Sequence, residues 1–433
     1  MQGAKKISRR RIWIDMLARN FSTIQQIDVA GFIKVPIGCT RLITTALQIL
    51  MLAFTHNAAS ASEWNAAPEP RSMEAQLVQS LLSINGNRLD VAMNEVDTLL
   101  KINPNFKLAQ LVRGDLLLAR AQPISDFGNM PGASRGQMEE LRDEARARLQ
   151  RVQKQPPTLP PKYLWQLDAS QRYAVVVDTS QSTLYLYENV NGEARYVTDF
   201  YISIGKLGIE KAVEGDKKTP LGVYFITESL AKNKLPDFYG SGAFPLNYPN
   251  EWDRRQSRNG YGIWLHGTPS DTYSRPPRAS DGCVVLANED LEKFGKFVQV
   301  GVTPVIITNQ MDWGNEQDQA DRTALLQAIE EWRTDWASIN TAAYLEHYAR
   351  DFSSSGSDIA AWAQKKKQVN AGKSWIKVSL SGLSVFAYPN QPGLVVVNFE
   401  QDYSSNNLSN HMKKRQYWMK RDNRWQIVYE GSA

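Results

Sequence analysis

Hydrophobic and polar positions along the 433-residue chain repeat with two different periods, and the places where the period changes divide it into segments. Over 73–84 and 89–102 apolar residues recur at helical spacing: Leu77 and Leu81 in the first stretch, Ala92, Val96, Leu99 and Leu100 in the second. Positions three and four apart share a helix face, so each stretch predicts one buried stripe. Asn85-Gly86-Asn87 supplies the turn between them, Asn103-Pro104 ends the second helix, and 108–119 begins a third. From Tyr173 the period shortens to two. Strands are predicted at 173–178 and 183–188, where Leu184 and Leu186 fall on one face and Tyr185 and Tyr187 on the other. Asn191-Gly192 reads as a hairpin turn into a strand over 195–204. A short buried strand is predicted at 261–265, a helix at 288–298 and a closing strand at 303–308. Near Asp321 helical spacing returns in Leu325, Ile329, Trp332, Trp336 and Ile339, with Tyr344, Leu345, Tyr348 and Phe352 continuing the apolar face. A second helix spans 358–371, and strands follow at 375–388, 394–403, 411–420 and 425–430.

These changes predict a multidomain α+β protein. A helical N-terminal segment (62–155) is followed by a Pro-rich linker (156–172), a β-rich domain (173–310) and an α+β domain (321–433) whose helices lie on a curved, cone-like sheet. The linker opens with Gln155-Pro-Pro-Thr-Leu-Pro-Pro161, which its prolines keep extended. The first helix pair resembles a single tetratricopeptide-like unit, which cannot bury both faces alone. It is expected to brace the next domain or to offer a docking surface. The β-rich domain reads as a mostly antiparallel sandwich or barrel. Within it, 230–258 interleaves Pro236, Gly240, Gly242, Pro245 and Pro249 with Tyr239, Phe244, Tyr248 and Trp252. That stretch reads as a long irregular loop. Either its Arg254, Arg255 and Arg258 grip a carboxylate-bearing ligand, or it is a solvated basic surface.

Composition changes the picture at the N-terminus. Residues 1–41 carry eight Lys/Arg, then 42–54 (LITTALQILMLAF) is an uncharged apolar run ahead of Ala59-Ser60-Ala61. Basic region, short apolar region and small-x-small site predict a secretory signal peptide over 1–61, with an uncleaved inner-membrane anchor as the alternative. The run is short of the roughly 20 residues that a membrane span needs. Residues 1–61 hold a net charge of +6 against +5 for the whole chain, which leaves the remainder near −1. The basic balance therefore gives no case for nucleic-acid binding. Cys39 lies in the leader, so Cys283 is the lone cysteine of the exported part and has no disulfide partner there. His266, His347 and His411 show no metal-ligand spacing with it, and neither a metal nor another cofactor is expected.

Candidate chemistry gathers at Leu265-His266-Gly267-Thr268 and Ser280-Asp281-Gly282-Cys283. Either Cys283 or His266 alone reads as readily as an ordinary core residue. Together they form a nucleophile and base, since a thiol attacks as thiolate and a nearby imidazole can take its proton. Ser280-Asp281-Gly282 reads as a tight turn whose backbone N–H groups point at a developing oxyanion. The intervening 271–278 is rich in Pro and Arg, as a surface loop is.

These residues resemble the H-G…S-H-G-C signature of YkuD-type L,D-transpeptidases, and Ile204-Gly205-Lys206 and 219–224 (TPLGVY) resemble that family's other recurring elements. The likeness spans about 173–308, with Asp281 where the family has a second His. It implies that Cys283 attacks a tetrapeptide stem of peptidoglycan at the diaminopimelate carbonyl, with His266 as base and the Gly267 carbonyl orienting it. Gly282 and Cys283 would supply the oxyanion site, with Asp281, Ser280 and Arg278 at the substrate rim. The thioester then passes to an amine (transpeptidation) or to water (carboxypeptidation). A third reading, a degenerate wall-binding module, rests on Asp281. Trp332, Trp336, Tyr344, Tyr348 and Phe352, with the ending 425–430 (WQIVYE), resemble the nuclear transport factor two-like (SnoaL-like) superfamily. That likeness leaves room for a ligand, a homodimer or a protein partner at the last domain. The domain order resembles cell-shape L,D-carboxypeptidases, which implies the periplasm of a Gram-negative bacterium.

Overall fold

The computed structural model describes residues 72–433 except 123, 125, 126, 129–133, 155, 156 and 355. The leader, its apolar run and the export site near Ser62 lie outside the described residues. Among those described, no helix is long and apolar enough to cross a membrane.

The helical segment contains α1 (Met73–Asn85), α2 (Leu89–Ile102), α3 (Lys107–Ala121) and α4 (Arg135–Gln153). The predicted stripes meet: Leu77, Leu81, Val96, Leu99, Leu108 and Val112 share one core. The apolar pattern did not single out α4, because its buried face is charged. Glu144 and Arg148 are each 1% exposed. Arg148 pairs with both Glu74 and Glu144, and its guanidinium lies 4.0 Å above the Tyr201 ring. Tyr273 and Ala287 of the next domain complete the core of the helical segment. A lone repeat buries its second face this way, so it braces the central domain.

The stretch expected as a linker is more than a spacer. Its β1 (Leu164–Gln166) is a strand of the C-terminal sheet. The central domain then runs β2 (Tyr173–Asp178), β3 (Thr183–Val190), β4 (Glu193–Tyr201), β5 (Ile204–Gly205), β6 (Gly222–Phe225), β7 (Leu230–Ala231), β8 (Gly242–Pro245) and α5 (Glu251–Arg255). It ends with β9 (Trp264–His266), β10 (Arg278–Ser280), β11 (Val284–Val285), α6 (Asn288–Gly295) and β12 (Pro304–Thr308). A five-stranded sheet in the order β4-β3-β2-β12-β6 faces a four-stranded one, β11-β9-β8-β7, and β5 pairs with β10. The sandwich is more mixed than expected, since β12/β2, β11/β9 and β10/β5 are parallel. Parallel neighbours need a crossover, which the rest of the domain supplies.

Both faces of the five-stranded sheet are buried. Leu184 and Leu186 face the second sheet with Val175, Val177, Leu265 and Val284. Tyr185 and Tyr187, with Val176 and Ile306, face Phe386, Tyr388, Val396 and Tyr417 of the last domain. That domain contains α7 (Glu316–Ala337), α8 (Thr341–Glu346), β13 (Tyr348–Ser354), β14 (Ser357–Asp358), α9 (Ile359–Ala371) and β15 (Ile376–Ala387). Three long strands complete it: β16 (Leu394–Ser405), β17 (Leu408–Arg421) and β18 (Arg424–Ser432). The sheet order is β1-β15-β16-β17-β18-β13-β14. Trp332, Trp336, Tyr344 and Phe352 pack with Val385, Val397 and Trp418 on its helical side. Tyr348 and Phe352, expected to continue a helical face, lie instead on β13. Four residues apart is the same face in a helix and in a strand, so the pattern carried both readings.

The stretch 230–258 is more ordered than the irregular loop expected: it holds β7, β8 and α5, and of its arginines Arg255 bonds to the last domain. Trp252 stacks on Tyr417 with ring centroids 5.7 Å apart, and Glu251 accepts from Arg415 at 3.2 Å and from the Tyr417 hydroxyl at 3.0 Å. Arg255 reaches Ser353 and Asp351, while Arg258 holds the buried Asp253 at 3.2 Å.

Candidate active site

The strand predicted at 261–265 is shorter and begins later. Gly260 and Gly262 sit at φ 97° and 75°, which breaks the extended run, and Tyr261 is 75% exposed. In the β9/β11 pair Leu265 lies opposite Val284, and His266 opposite Val285. One step back along this register Cys283 comes opposite Trp264. Alternate residues share a face, so Cys283, Trp264 and His266 project to the same side. A strand spacing of about 4.8 Å and a rise of about 3.3 Å per residue put the His266 and Cys283 backbones about 8 Å apart. An imidazole and a thiol turned towards each other would be long enough to span a gap of that size.

His266 is 1% exposed, and its Nδ1 lies 2.7 Å from the Gly267 carbonyl oxygen. A carbonyl only accepts, so Nδ1 carries the hydrogen and Nε2 keeps a lone pair for a proton. Burial pushes the imidazole pKa down to about 4; the Gly267 bond opposes this, and the Arg275 charge adds to it. The Cys283 thiol donates to the Gly262 carbonyl at 3.2 Å. Burial pushes it up to about 11, against the Trp264 amide and the Arg275 charge. Both groups are neutral at pH 7. Both directions favour the neutral forms at rest, so the proton passes to the imidazole as the sulfur attacks.

Asn288, the first residue of α6, fixes the backbone after His266. Its Oδ1 accepts from the amides of Ser241 at 2.9 Å and Thr268 at 3.2 Å, and its Nδ2 donates to the Thr268 carbonyl at 2.9 Å. A side chain at Gly240 or Gly267 would overlap that Oδ1, which is why glycine follows the histidine. Sequence reading passed over Asn288. Its only signal was an amide side chain opening a helix just behind the nucleophile turn.

The turn itself differs from the expected oxyanion site. Ser280 Oγ accepts the Gly282 N–H at 3.1 Å and donates to the Cys283 carbonyl at 2.6 Å. The Gly282 amide is thus already used, and Gly282 is needed for shape. It sits at φ 126°, and a Cβ there would lie 2.7 Å from the Lys218 carbonyl oxygen. Among the described residues the Cys283 N–H has no protein partner, so it is the amide open to a substrate oxygen. Asp281 points outward and pairs with Lys206 at 2.8 Å, which holds its carboxyl below the usual range. That partner comes from Ile204-Gly205-Lys206. Arg278 does not join the group. It is exposed on β10 and lines a groove with Glu140, Asp143 and Arg146 of α4. Arg275 takes the place by the thiol, its guanidinium 5.0 Å from the Phe238 ring centre. Phe238 and Tyr239 wall the imidazole, with centroids 5.7 and 5.1 Å from it, and Tyr239 also packs on Trp264. The first half of 230–258 therefore does line the site, through aromatic rings.

Two family models match the chain: YkuD, the L,D-transpeptidase catalytic domain, over residues 172–307, and the Cds6 C-terminal NTF2-like domain over 324–431. Among solved structures the chain is similar to Bdellovibrio bacteriovorus Bd1075 at 31% identity and a TM-score of 0.56, covering 64% of this chain and 98% of that one. It is similar to the helical cell shape determining protein Pgp2 from Campylobacter jejuni at 26% identity and a TM-score of 0.55, covering 63% and 95%. No curated protein matches.

Proposed function

The chain belongs to the L,D-transpeptidase family built on the YkuD catalytic domain, with an NTF2-like domain at its C-terminal end, and from that premise we propose that it is a cysteine acyltransferase acting on tetrapeptide stems of peptidoglycan. The observation that carries the reading is the Cys283–His266 pair on one face of adjoining strands, with the imidazole already in the tautomer a general base needs. Cys283 Sγ bonds to the carbonyl carbon of diaminopimelate while its proton passes to His266 Nε2. The carbonyl oxygen turns towards the free Cys283 N–H. The same imidazole then protonates the nitrogen of the departing D-alanine, leaving a thioester. An incoming amine gives an L,D-cross-link or an exchanged stem, and releases the thiol.

A second reading has water as acceptor, which makes the protein an L,D-carboxypeptidase. What favours it is the order of a YkuD domain followed by an NTF2-like domain, which resembles that of cell-shape L,D-carboxypeptidases; from the similarity to Pgp2, a helical cell shape determining protein, we extend a role in cell shape to this chain as a proposal. The pairing of Asp281 with Lys206 weighs against a wall-binding module without chemistry, since it offsets the charge that Asp281 brings to the rim of the thiol. Export by the 1–61 leader to the periplasm completes the proposal, and N-terminal sequencing of the protein from cells checks it at Ser62.

The test is mass analysis of tetrapeptide muropeptides incubated with purified protein and excess D-amino acid. Exchanged tetrapeptide or cross-linked dimer supports transpeptidation. Tripeptide alone at every acceptor concentration makes the enzyme a carboxypeptidase. Unchanged tetrapeptide, or products that persist in Cys283→Ala, refutes the acyl-enzyme reading.

A further inference from the structure

We infer that Arg275 is the specificity-determining residue of the site, holding a carboxylate of the substrate beside the bond that Cys283 attacks. The inference rests on the acyl-transfer reading above and extends it to what the site recognises.

Arg275 is half-buried, yet among the described residues its guanidinium makes no ion pair and no side-chain hydrogen bond. The most enclosed arginines reach a carboxylate, Arg148 finding Glu144, Arg258 Asp253 and Arg415 Glu251, and the half-buried Arg322 reaches the Gln166 amide oxygen. A cation left without a counter-charge at half-burial marks a place kept for an anion that arrives with the ligand. Its charge is felt by Cys283, His266 and Asp281, which places it among the reacting groups. Asp281, the carboxylate whose charge reaches it, is already engaged by Lys206.

The guanidinium is also held ready. Phe238 supports it, its centroid 5.0 Å from the guanidinium carbon. The Arg275 carbonyl accepts from the Tyr201 hydroxyl at 3.0 Å. Ser274 donates to Glu144 at 2.5 Å, and Tyr273 packs on Phe106 with centroids 4.3 Å apart. The helical segment thus fastens the loop on one side and β4 on the other. A rigid planar fork is the donor best matched to two carboxylate oxygens.

A peptide's terminal carboxylate lies only about 4 Å from the preceding carbonyl carbon, so a cation beside the thiol can hold it while the sulfur attacks. The free carboxylate on the diaminopimelate side chain offers the same chemistry from a second direction. In either case the site favours an acidic stem over its neutral counterpart, and if the terminal carboxylate is the one held, only chain ends react.

The experiment compares kcat/KM for the tetrapeptide acid, its C-terminal amide, and the tetrapeptide amidated at diaminopimelate. Enzymes are wild type, Arg275→Gln and Arg275→Lys. Wild type should prefer the acid over one of the two amides by about 100-fold, and which amide it is identifies the carboxylate read. Arg275→Gln should lose that preference by falling about 100-fold on the acid alone, and Arg275→Lys should recover part of it. Equal turnover of all three peptides by wild type, or a preference that survives in Arg275→Gln, overturns the inference while leaving the acyl-transfer reading intact. If wild type turns over none of them, the acyl-transfer reading fails instead, and calorimetric binding to Cys283→Ala decides the inference. Tighter binding of the acid that disappears in Cys283→Ala/Arg275→Gln supports it; equal binding, or none, overturns it.

Discussion

The imidazole that serves as base also makes the folded protein sensitive to acid, and its burial sets the size of the effect. His266 is 1% exposed, and its pKa falls from the usual 6.5 to about 4. The unfolded chain takes up a proton near 6.5 that the folded protein refuses until about 4. This contribution to stability is therefore complete above 6.5 and is lost as the pH falls through the folded value. The full difference is about 3 kcal/mol, of which about 2 kcal/mol is gone by pH 5. His266→Gln removes the titration but keeps a similar volume. Urea unfolding of both proteins between pH 7.5 and 4.5 should show wild type losing about 2 kcal/mol more than the variant by pH 5. A second readout uses the same group. Because only neutral Nε2 accepts a proton, the acid limb of kcat/KM should lie near 4. Parallel stability curves, or an acid limb between 6 and 7, would mean that water reaches the imidazole and that the burial argument fails.

Three further outcomes follow from the contacts around the site. Asp281→Asn removes a negative charge and should speed Cys283 alkylation by iodoacetamide at pH 7 by roughly two- to threefold, whereas Lys206→Ala leaves Asp281 uncompensated and should slow it; coincident pH–rate profiles would refute both. Asn288→Ala deprives the Thr268 and Ser241 amides of their acceptor, so kcat should drop by about tenfold with KM little changed; a wild-type kcat would show that the His266 backbone holds itself. Glu251→Ala strands Arg415, which is 9% exposed on its side chain, and should cost about 3 kcal/mol, read by calorimetry as a lowered or divided transition; an unchanged single transition would show that apolar contacts alone join the two domains.

What the sequence made legible was what periodicity and motif order encode. The strand at Tyr173–Asp178 and the helix at Leu89–Ile102 fall where the pattern put them, because each presents one uninterrupted apolar face. The family resemblance carried by His266, Cys283 and the two upstream motifs is shown by the matches over 172–307 and 324–431. Legibility failed where a residue's partner is remote in sequence. The helix α4 buries Glu144 and Arg148, whose polarity reads as surface until Glu74, Ser274 and Tyr201 are brought to them. Arg255 looked free for a ligand, but its partner Asp351 lies about a hundred residues away in the last domain, as does Arg415, the partner of Glu251. Of two arginines three residues apart on one loop, sequence placed Arg278 at the substrate rim and passed over Arg275.

The structure separates them by the pleat and the packing of that loop. Arg278 belongs to β10, where pairing with β5 directs it towards the helical segment and water. Arg275 precedes the strand, and Tyr201, Phe106 and Glu144 pin its neighbours so that it turns inward over Phe238. The same contacts give the N-terminal helices a part in the chemistry. They bury no reacting atom, yet their core includes Tyr273 and their charged face holds Ser274, so the cation next to the thiol is only as well placed as those helices are folded. Ser274→Ala removes the hydrogen bond that the loop donates to Glu144. If the helices act through Arg275, that variant should weaken the preference for the acidic stem before it weakens turnover of the amide. If both fall together, the helical segment supports the fold of the central domain and nothing more specific.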